Sequence, residues 1–211
     1  MARTRASDHE LQRDEILEVA ARAFAAKSYP GTSMNDLAQA CGTSKARLYH
    51  YYPGKEAILF DLLERYTDRL IAIATRETAA AATPPGVRLE NLIRAFLAEY
   101  EHSQTRHIAL LNDVKFLQEK QRTLILGAQR KVVELFADTV AAAYPERVTA
   151  QNRAALTMLL FGMINWTFTW LKPSSAGGKI SYADFAQLVE VIFTRGMEGL
   201  AAHADGALRA G

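Results

Sequence analysis

Apolar residues recur at the spacing of an α-helix along almost the whole chain. In one early segment, Val19, Ala20, Ala23 and Phe24 follow Ile16 by three, four, seven and eight residues. This spacing places them on one face of a helix. No segment shows the sustained alternation of polar and apolar residues that is typical of a half-buried strand. The sequence therefore predicts an all-α fold.

Capping and turn residues divide this pattern into about nine helices. Ser33 and Ser181 are each followed three residues later by an aspartate, which is typical of a helix N-terminus. Pro-Gly pairs at residues 30–31 and 53–54 mark two helix ends. The predicted helices span residues 8–27, 34–41, 44–52, 55–80, 88–102, 105–116, 119–144, 149–171 and 181–201.

Charge and composition exclude several classes of protein. The chain has 25 Lys and Arg against 23 Asp and Glu, a net charge of +2, so any basic surface must be local. The single cysteine, Cys41, excludes an internal disulfide and favours a reducing compartment. Residues 154–171 carry no charge but include several polar residues, so we interpret them as a buried interface helix rather than a membrane span. We expect a soluble, cytoplasmic protein.

The common catalytic motifs are missing from the sequence. It contains no phosphate-binding glycine loop, no nucleotide-binding glycine motif and no Cys-x-x-Cys pair. His102 and His107 are five residues apart, which does not place them on one helix face as metal ligands. We therefore expect neither an enzyme nor a bound cofactor or metal.

Residues 32–55 have the outline of a helix-turn-helix. Gly42 can adopt the left-handed conformation that the turn needs, and Leu37, Cys41 and Leu48 are predicted to point inward. The second short helix then presents two cations, a histidine and two tyrosines outward, which suits the major groove of DNA. These outward residues are Lys45, Arg47, Tyr49, His50 and Tyr51.

The same segment resembles the TetR/AcrR family of bacterial transcriptional regulators. The likeness rests on Tyr29-x-x-Thr32-Ser33-Met34-x-Asp36-Leu37-Ala38 and on Gly42-x-Ser44-x-x-x-Leu48-Tyr49-x-Tyr51-Tyr52-x-x-Lys55-Glu56. It implies an N-terminal three-helix helix-turn-helix DNA-binding domain over residues 1–54. It also implies a C-terminal helical ligand-binding and dimerisation domain over residues 55–211. Such proteins bind a palindromic double-stranded DNA operator as homodimers, usually as repressors that a small molecule releases.

The resemblance also implies roles for individual residues. Arg47 is the best candidate for a bidentate contact to guanine, and Arg3 and Arg5 could form a basic arm. Tyr52 stands where the family usually has Phe, so its hydroxyl must find a partner. The expected DNA contacts are Thr32, Ser33, Met34, Ser44, Lys45, Ala46, Arg47, Tyr49, His50, Tyr51 and Lys55.

The second half offers a candidate effector site. Its segment 162–186 is similar to a subgroup of the family that responds to acyl-CoA thioesters. Aromatic residues at helical spacing are, taken singly, more common in cores and interfaces than in pockets. The candidate ligand residues are Phe96, Tyr100, His107, Leu111, Phe116, Asn165, Trp166 and Trp170.

The last two long helices are expected to form the dimer interface. Because the uncharged helix has more apolar surface than one subunit is expected to cover, a second copy would cover the rest. The candidate interface residues are Leu156, Leu160, Met163, Phe185, Val189, Ile192 and Phe193.

Two other interpretations stay open. The protein could be a TetR-type repressor of an efflux or stress gene that responds to a free hydrophobic or drug-like ligand. It could also be a helical small-molecule-binding protein that no longer binds DNA.

Overall fold

The structure is a computed structural model that describes residues 2–79, 81–172, 177 and 179–200, with side chains from His9 onward. Ten α-helices and one 3₁₀ turn make up the regular structure of this part of the chain, which holds no strand. The predicted all-α fold is confirmed. The helices are α1 (Ala2–Lys27), α2 (Met34–Ala40), α3 (Lys45–Tyr51), α4 (Lys55–Thr78), α5 (Pro85–His102), α6 (Gln104–Asn112), α7 (Glu119–Ala143), α8 (Arg153–Asn165), α9 (Thr167–Trp170) and α10 (Tyr182–Gly199).

The predicted helix over residues 149–171 is two helices in the structure. Thr149 and Asn152 exchange side-chain hydrogen bonds with each other's amides, at 2.7 and 3.3 Å. This turn delays the start of α8 to Arg153. At the other end, the Thr167 hydroxyl donates to the Ile164 carbonyl over 2.7 Å, where α8 gives way to α9. Thr157 and Thr169 bond in the same way to carbonyls three or four residues earlier.

Two other boundaries also differ from the prediction. α1 begins at Ala2 rather than near residue 8, so it reaches back into the segment that was expected to be a basic arm. The helix predicted over residues 105–116 ends at Asn112, and a 3₁₀ turn follows over Val114–Phe116.

The helices form two packing units. The first contains residues 1–68 and 103–128, and the second contains residues 69–102 and 129–211. This grouping differs from the predicted division after residue 54, because α6 packs against α1. The first unit buries apolar residues of α1, α2, α3 and α4, among them Ile16, Leu17, Phe24, Leu37, Leu48, Leu59 and Leu62.

The core of the second unit is aromatic. The ring of Phe136 lies 4.7 Å, centroid to centroid, from both Phe96 and Phe161. α5, α8 and α10 pack against one another around these rings. None of the described helices combines the length and the apolar character that crossing a membrane requires.

Candidate DNA-binding surface and second-unit sites

Two serines begin the short helices α2 and α3. Ser33 accepts a hydrogen bond from the Asp36 amide over 3.1 Å, and the Asp36 carboxylate accepts one from the Ser33 amide over 2.8 Å. Ser44 accepts a hydrogen bond from the Arg47 amide over 3.2 Å. Between the helices, Gly42 has a φ of +61°, which glycine adopts at little cost. The predicted cap at Ser33 and the predicted turn at Gly42 are confirmed.

Helix α3 is buried on one side only. Leu48 is fully buried, as is Leu37 of α2, whereas Cys41 is only partly covered. Tyr51 is half-buried, and its ring centroid lies 4.9 Å from that of His9. The remaining side chains of α3 are exposed, so one short helix displays a mixed cationic and aromatic face. These exposed residues are Lys45, Ala46, Arg47, Tyr49 and His50.

The cations on this face make only weak contacts. Lys45 Nζ lies 5.9 Å from the ring centroid of Tyr49, and the Arg47 guanidinium donates to Gln12 Oε1 over 3.3 Å. Exposed contacts of this kind contribute about 1 kcal/mol or less. Both side chains can therefore exchange them for phosphate oxygens or base edges at small cost.

Thr32 and Lys55 are bonded inside the first unit. Thr32 is 1% exposed, and its hydroxyl donates to the Ser28 carbonyl over 2.9 Å. The Lys55 ammonium donates to the carbonyls of Tyr29 and Thr32 over 2.7 Å each, and burial lowers its pKa. These donors hold the loop between α1 and α2, and the phosphate contacts that the resemblance implied for Thr32 and Lys55 stay a prediction.

The start of α2 carries a negative charge. Hydrogen bonds from the Ser33 side chain and amide hold the pKa of the Asp36 carboxyl below its usual range. A phosphate that approached Ser33 would meet this carboxylate, so electrostatics favours phosphate contacts from α3 instead. Met34 is half-buried beside Ser33, and the Ser44 hydroxyl is exposed.

A charged network links α1, the end of α3 and α4, and sequence reasoning missed it. The Tyr52 hydroxyl donates to the Asp61 carboxylate over 2.5 Å, and Arg13 donates to the same carboxylate over 2.8 Å. Arg65 donates to Asp61 Oδ1 over 2.8 Å and also to Asp14 over 2.8 Å. The expected partner of the Tyr52 hydroxyl is thus Asp61.

Several donors compensate the burial of Asp61. Burial alone would raise the pKa of its carboxyl, but the hydrogen bonds from Tyr52, Arg65 and Arg13 hold that pKa below the usual value. Burial and the bond to Asp61 raise the pKa of Tyr52. The signal in the sequence was the tyrosine at position 52 with Asp61 and Arg65 four residues apart on one helix face. The network fixes the C-terminal end of α3 against α1 and α4.

The candidate effector residues are divided between the two units. Phe96 and Tyr100 are buried in the second unit, where the Tyr100 hydroxyl donates to Asn165 Oδ1 over 2.8 Å. Trp166 and Trp170 belong to the same unit but are 65% and 48% exposed. The remaining three candidates belong to the first unit, namely His107, Leu111 and Phe116.

His107 has a packing role in the first unit. It is 3% exposed, and its Nδ1 lies 3.2 Å from the Tyr66 hydroxyl. Burial lowers the pKa of His107 to about 4, so the imidazole is neutral at pH 7. A neutral, covered imidazole contributes to the core rather than presenting a charge to a ligand.

Most of the candidate interface residues are covered within their own chain. Leu156, Leu160, Val189 and Phe193 are buried, Met163 and Phe185 are half-buried, and Ile192 is 58% exposed. The exposed apolar residues of these helices lie on another face, which we call the α8–α10 strip. The strip consists of Met158, Leu159, Trp166, Leu188, Val191 and Ile192.

Comparison with known proteins identifies the family. Residues 16–62 match the family model described as bacterial regulatory proteins, tetR family, and residues 82–197 match the one described as tetracyclin repressor-like, C-terminal domain. The second match alone spans more than half of the chain. The chain therefore belongs to the TetR family, whose members are transcriptional regulators rather than enzymes.

Individual relatives agree with this assignment. The HTH-type transcriptional repressor KstR2 of Mycolicibacterium smegmatis is 31% identical over 46% of this chain and 45% of its own length. The matched segments span about half the length of the KstR2 proteins. A TetR-family regulator of Bordetella parapertussis 12822 is 34% identical, covers 94% of this chain and 96% of its own, and has a TM-score of 0.80.

A third similarity concerns the fold alone. The structure of AibR in complex with isovaleryl coenzyme A and operator DNA has a TM-score of 0.74. It is 24% identical and covers 86% of this chain and 97% of its own.

Proposed function

We propose that the protein is a homodimeric repressor that binds a palindromic operator and is released by an acyl-CoA of lipid or aromatic-acid catabolism. One observation carries the DNA-binding part. The capped helix α3 buries Leu48 and exposes Lys45, Arg47, Tyr49 and His50. A short helix with that surface fits the width of a major groove and supplies donors for both phosphates and bases. KstR2 is likewise named a transcriptional repressor.

Arg47 is the residue proposed to read a base. We expect Arg47→Ala to weaken operator binding by about 1–3 kcal/mol, roughly fivefold to 150-fold, because a bidentate bond to guanine is lost. Fluorescence anisotropy on labelled operator DNA measures the change. Arg76→Ala, which removes an exposed cation at the end of α4, is the matched control. An affinity as high as that of the Arg76→Ala variant would contradict this role for Arg47.

The effector proposal rests on segment 162–186 of the second unit, which is similar to the subgroup that responds to acyl-CoA thioesters, and on the fold of AibR. AibR was solved with isovaleryl coenzyme A and operator DNA together, and its fold resembles that of this chain. We propose that an acyl-CoA binds the second unit and shifts the dimer toward a spacing of recognition helices that no longer fits one DNA turn of about 34–36 Å. The ligand must bind the two states with different affinities to do so.

Anisotropy with an effector panel tests the whole proposal. The DNA just upstream of the gene is titrated with protein, then with salt, and then with isovaleryl-CoA and longer acyl-CoA thioesters. Salt-sensitive binding that one thioester abolishes would support both parts. Release by a free drug-like molecule alone would favour the efflux or stress repressor. Binding no tighter than to random DNA, at this site and in a selection from a random library, would overturn the repressor assignment.

The α8–α10 strip is proposed as the dimer interface. Leu159 and Ile192 are 61% and 58% exposed, and a symmetric dimer would bury two copies of each. We expect Leu159→Arg to weaken the dimer about thirtyfold or more, because two unpaired guanidinium groups would face an apolar surface. Analytical ultracentrifugation measures the dissociation constant.

A similarly exposed leucine provides the control. Leu124 of α7 is 54% exposed and lies outside the strip, so Leu124→Arg should leave the dimer intact. If Leu159→Arg dimerises as tightly as Leu124→Arg does, the interface lies elsewhere.

A further inference from the structure

A groove of about 600 Å³ lies between α5 and α10 in the second unit. On α5 it is lined by Glu90, Arg94, Ala98 and Glu101, and on α10 by residues that include Ala186 and Glu190. We call it the α5–α10 groove. No residue of the candidate effector set lines it, so it is separate from the site proposed for an acyl-CoA.

Glu190 is a buried acid that lines this groove, and only one of its two carboxylate oxygens accepts a hydrogen bond from the described residues. The residue is 5% exposed, and its Oε2 accepts a hydrogen bond from the Arg94 guanidinium over 2.6 Å. Its Oε1 is buried and accepts no hydrogen bond from the described residues. Burial raises the pKa of the Glu190 carboxyl despite the Arg94 contact. A carboxylate oxygen without a donor is costly, so a donor supplied from outside would be strongly favoured.

The net charge of the groove favours a positively charged ligand. Glu90, Glu101 and Glu190 contribute three negative charges against one positive charge from Arg94, which leaves 1 − 3 = −2. Arg94 is itself shared, since its guanidinium lies 3.7 Å from Glu90 as well. A cation is therefore favoured, whereas the phosphates of an acyl-CoA would be repelled.

The shape of the groove favours a linear ligand. Glu101 follows Glu90 by eleven residues on α5, a rise of about 16 Å along the helix axis. Between them Ala98 offers a small, exposed apolar side chain that methylene groups can cover, and Ala186 of α10 also lines the groove. Within the described residues no group of three or more His, Cys, Asp or Glu could hold a metal ion, which favours an organic cation over a metal.

We propose that the α5–α10 groove binds a linear aliphatic polyamine. One ammonium group pairs with the Glu190 carboxylate, a second lies near Glu90 or Glu101, and the methylene chain covers Ala98. The site is a second small-molecule site on this unit, independent of the effector proposed above.

Isothermal titration calorimetry of the full chain with spermidine tests the proposal. We expect one spermidine per chain, with an affinity that falls as salt rises. n-Butylamine carries a single ammonium group and should bind at least about tenfold more weakly. Magnesium chloride at equal ionic strength, in place of spermidine, distinguishes a built site from simple charge screening.

Two variants probe the groove in different ways. Glu190→Gln keeps the shape but removes the charge, and it should weaken spermidine binding at least about tenfold. Ala98→Leu keeps every charge and fills the groove, and it should weaken binding by a similar factor. Glu146→Gln, at an exposed acid outside the groove, should bind spermidine as the wild type does. Circular dichroism tests whether each variant is folded. If Glu190→Gln does not fold, the spermidine affinity of Ala98→Leu still tests the site.

The proposal is overturned if both groove variants bind spermidine as tightly as Glu146→Gln. It is also overturned if butylamine or magnesium replaces spermidine at equal concentration. Isovaleryl-CoA is titrated into the same variants, and its binding should not change. The outcome for the amine and the outcome for the acyl-CoA are therefore read separately.

Discussion

Asp61→Ala is expected to lower the free energy of unfolding of the first unit by about 2–4 kcal/mol, because it leaves the buried Tyr52 hydroxyl and two half-buried arginines without their shared acceptor. Tyr52, Arg13 and Arg65 all donate to this carboxylate. Removing it leaves the two guanidinium groups with only the exposed carboxylates of Glu10 and Asp14 as charged partners. Since the network fixes the end of α3, we also expect operator affinity to fall. Urea denaturation followed by circular dichroism measures the stability loss, and anisotropy measures the affinity.

Two further substitutions separate the network from ordinary surface effects. Asp68→Ala removes an exposed carboxylate from the same helix and should change stability by less than about 0.5 kcal/mol. Tyr52→Phe removes the hydrogen bond to Asp61 and the longer one from Arg13 Nε but keeps both Arg–Asp61 pairs, so it should cost about 1–2 kcal/mol. A loss at Asp61 no larger than the loss at Asp68 would show that the network contributes little.

His107 is expected to make the first unit lose stability in mild acid. Its pKa is lowered to about 4 in the fold by burial, against about 6.5 in the unfolded chain. Between these two values the unfolded chain binds a proton that the folded chain does not. Stability from this group is therefore complete above pH 6.5 and falls as the pH drops toward 4. The loss amounts to about 3 kcal/mol at most.

The contribution of His107 can be isolated by comparing how steeply the free energy of unfolding falls with pH in the wild type and in histidine variants. Urea denaturation from pH 7 to pH 4 should give a flatter stability curve for His107→Gln than for the wild type, even if that variant is less stable at pH 7. His102 is exposed, and His102→Gln should keep the wild-type slope. Equal slopes for all three proteins would mean that the pKa of His107 is the same in the folded and the unfolded chain.

The features that could be predicted from the sequence are local ones. The capping box at Ser33 with Asp36, and the cap that Ser181 forms with Asp184, each involve residues three apart. The turn at Gly42 depends on one residue's backbone freedom. Helical periodicity likewise compares neighbours within a few turns. Such features depend only on residues close together in the sequence, and the structure confirms them.

The features that could not be predicted from the sequence depend on residues far away along the chain. Lys55 bonds to carbonyls 23 and 26 residues earlier in the chain, and nothing near position 55 indicates those acceptors. Which side chains the last long helices expose could not be predicted for a different reason. α8 is apolar on several faces, so periodicity cannot tell which leucine is inside, and Leu160 is fully buried while its neighbour Leu159 is 61% exposed. Only the packing of α8 against α5 and α10 decides this.

The threonines of α8 and α9 make this segment less polar than their residue type suggests. Thr157 donates its hydroxyl to a carbonyl of its own helix over 2.8 Å, Thr167 donates to the Ile164 carbonyl of α8 over 2.7 Å, and Thr169 donates to the Trp166 carbonyl. What each then offers its surroundings is chiefly a methyl group, much as valine would. A hydropathy scale that counts these residues as polar underestimates how dry the segment can become. Thr157 and Thr167 are 1% exposed within their own chain, so of these three threonines a partner would meet only Thr169, whose hydroxyl already has an acceptor.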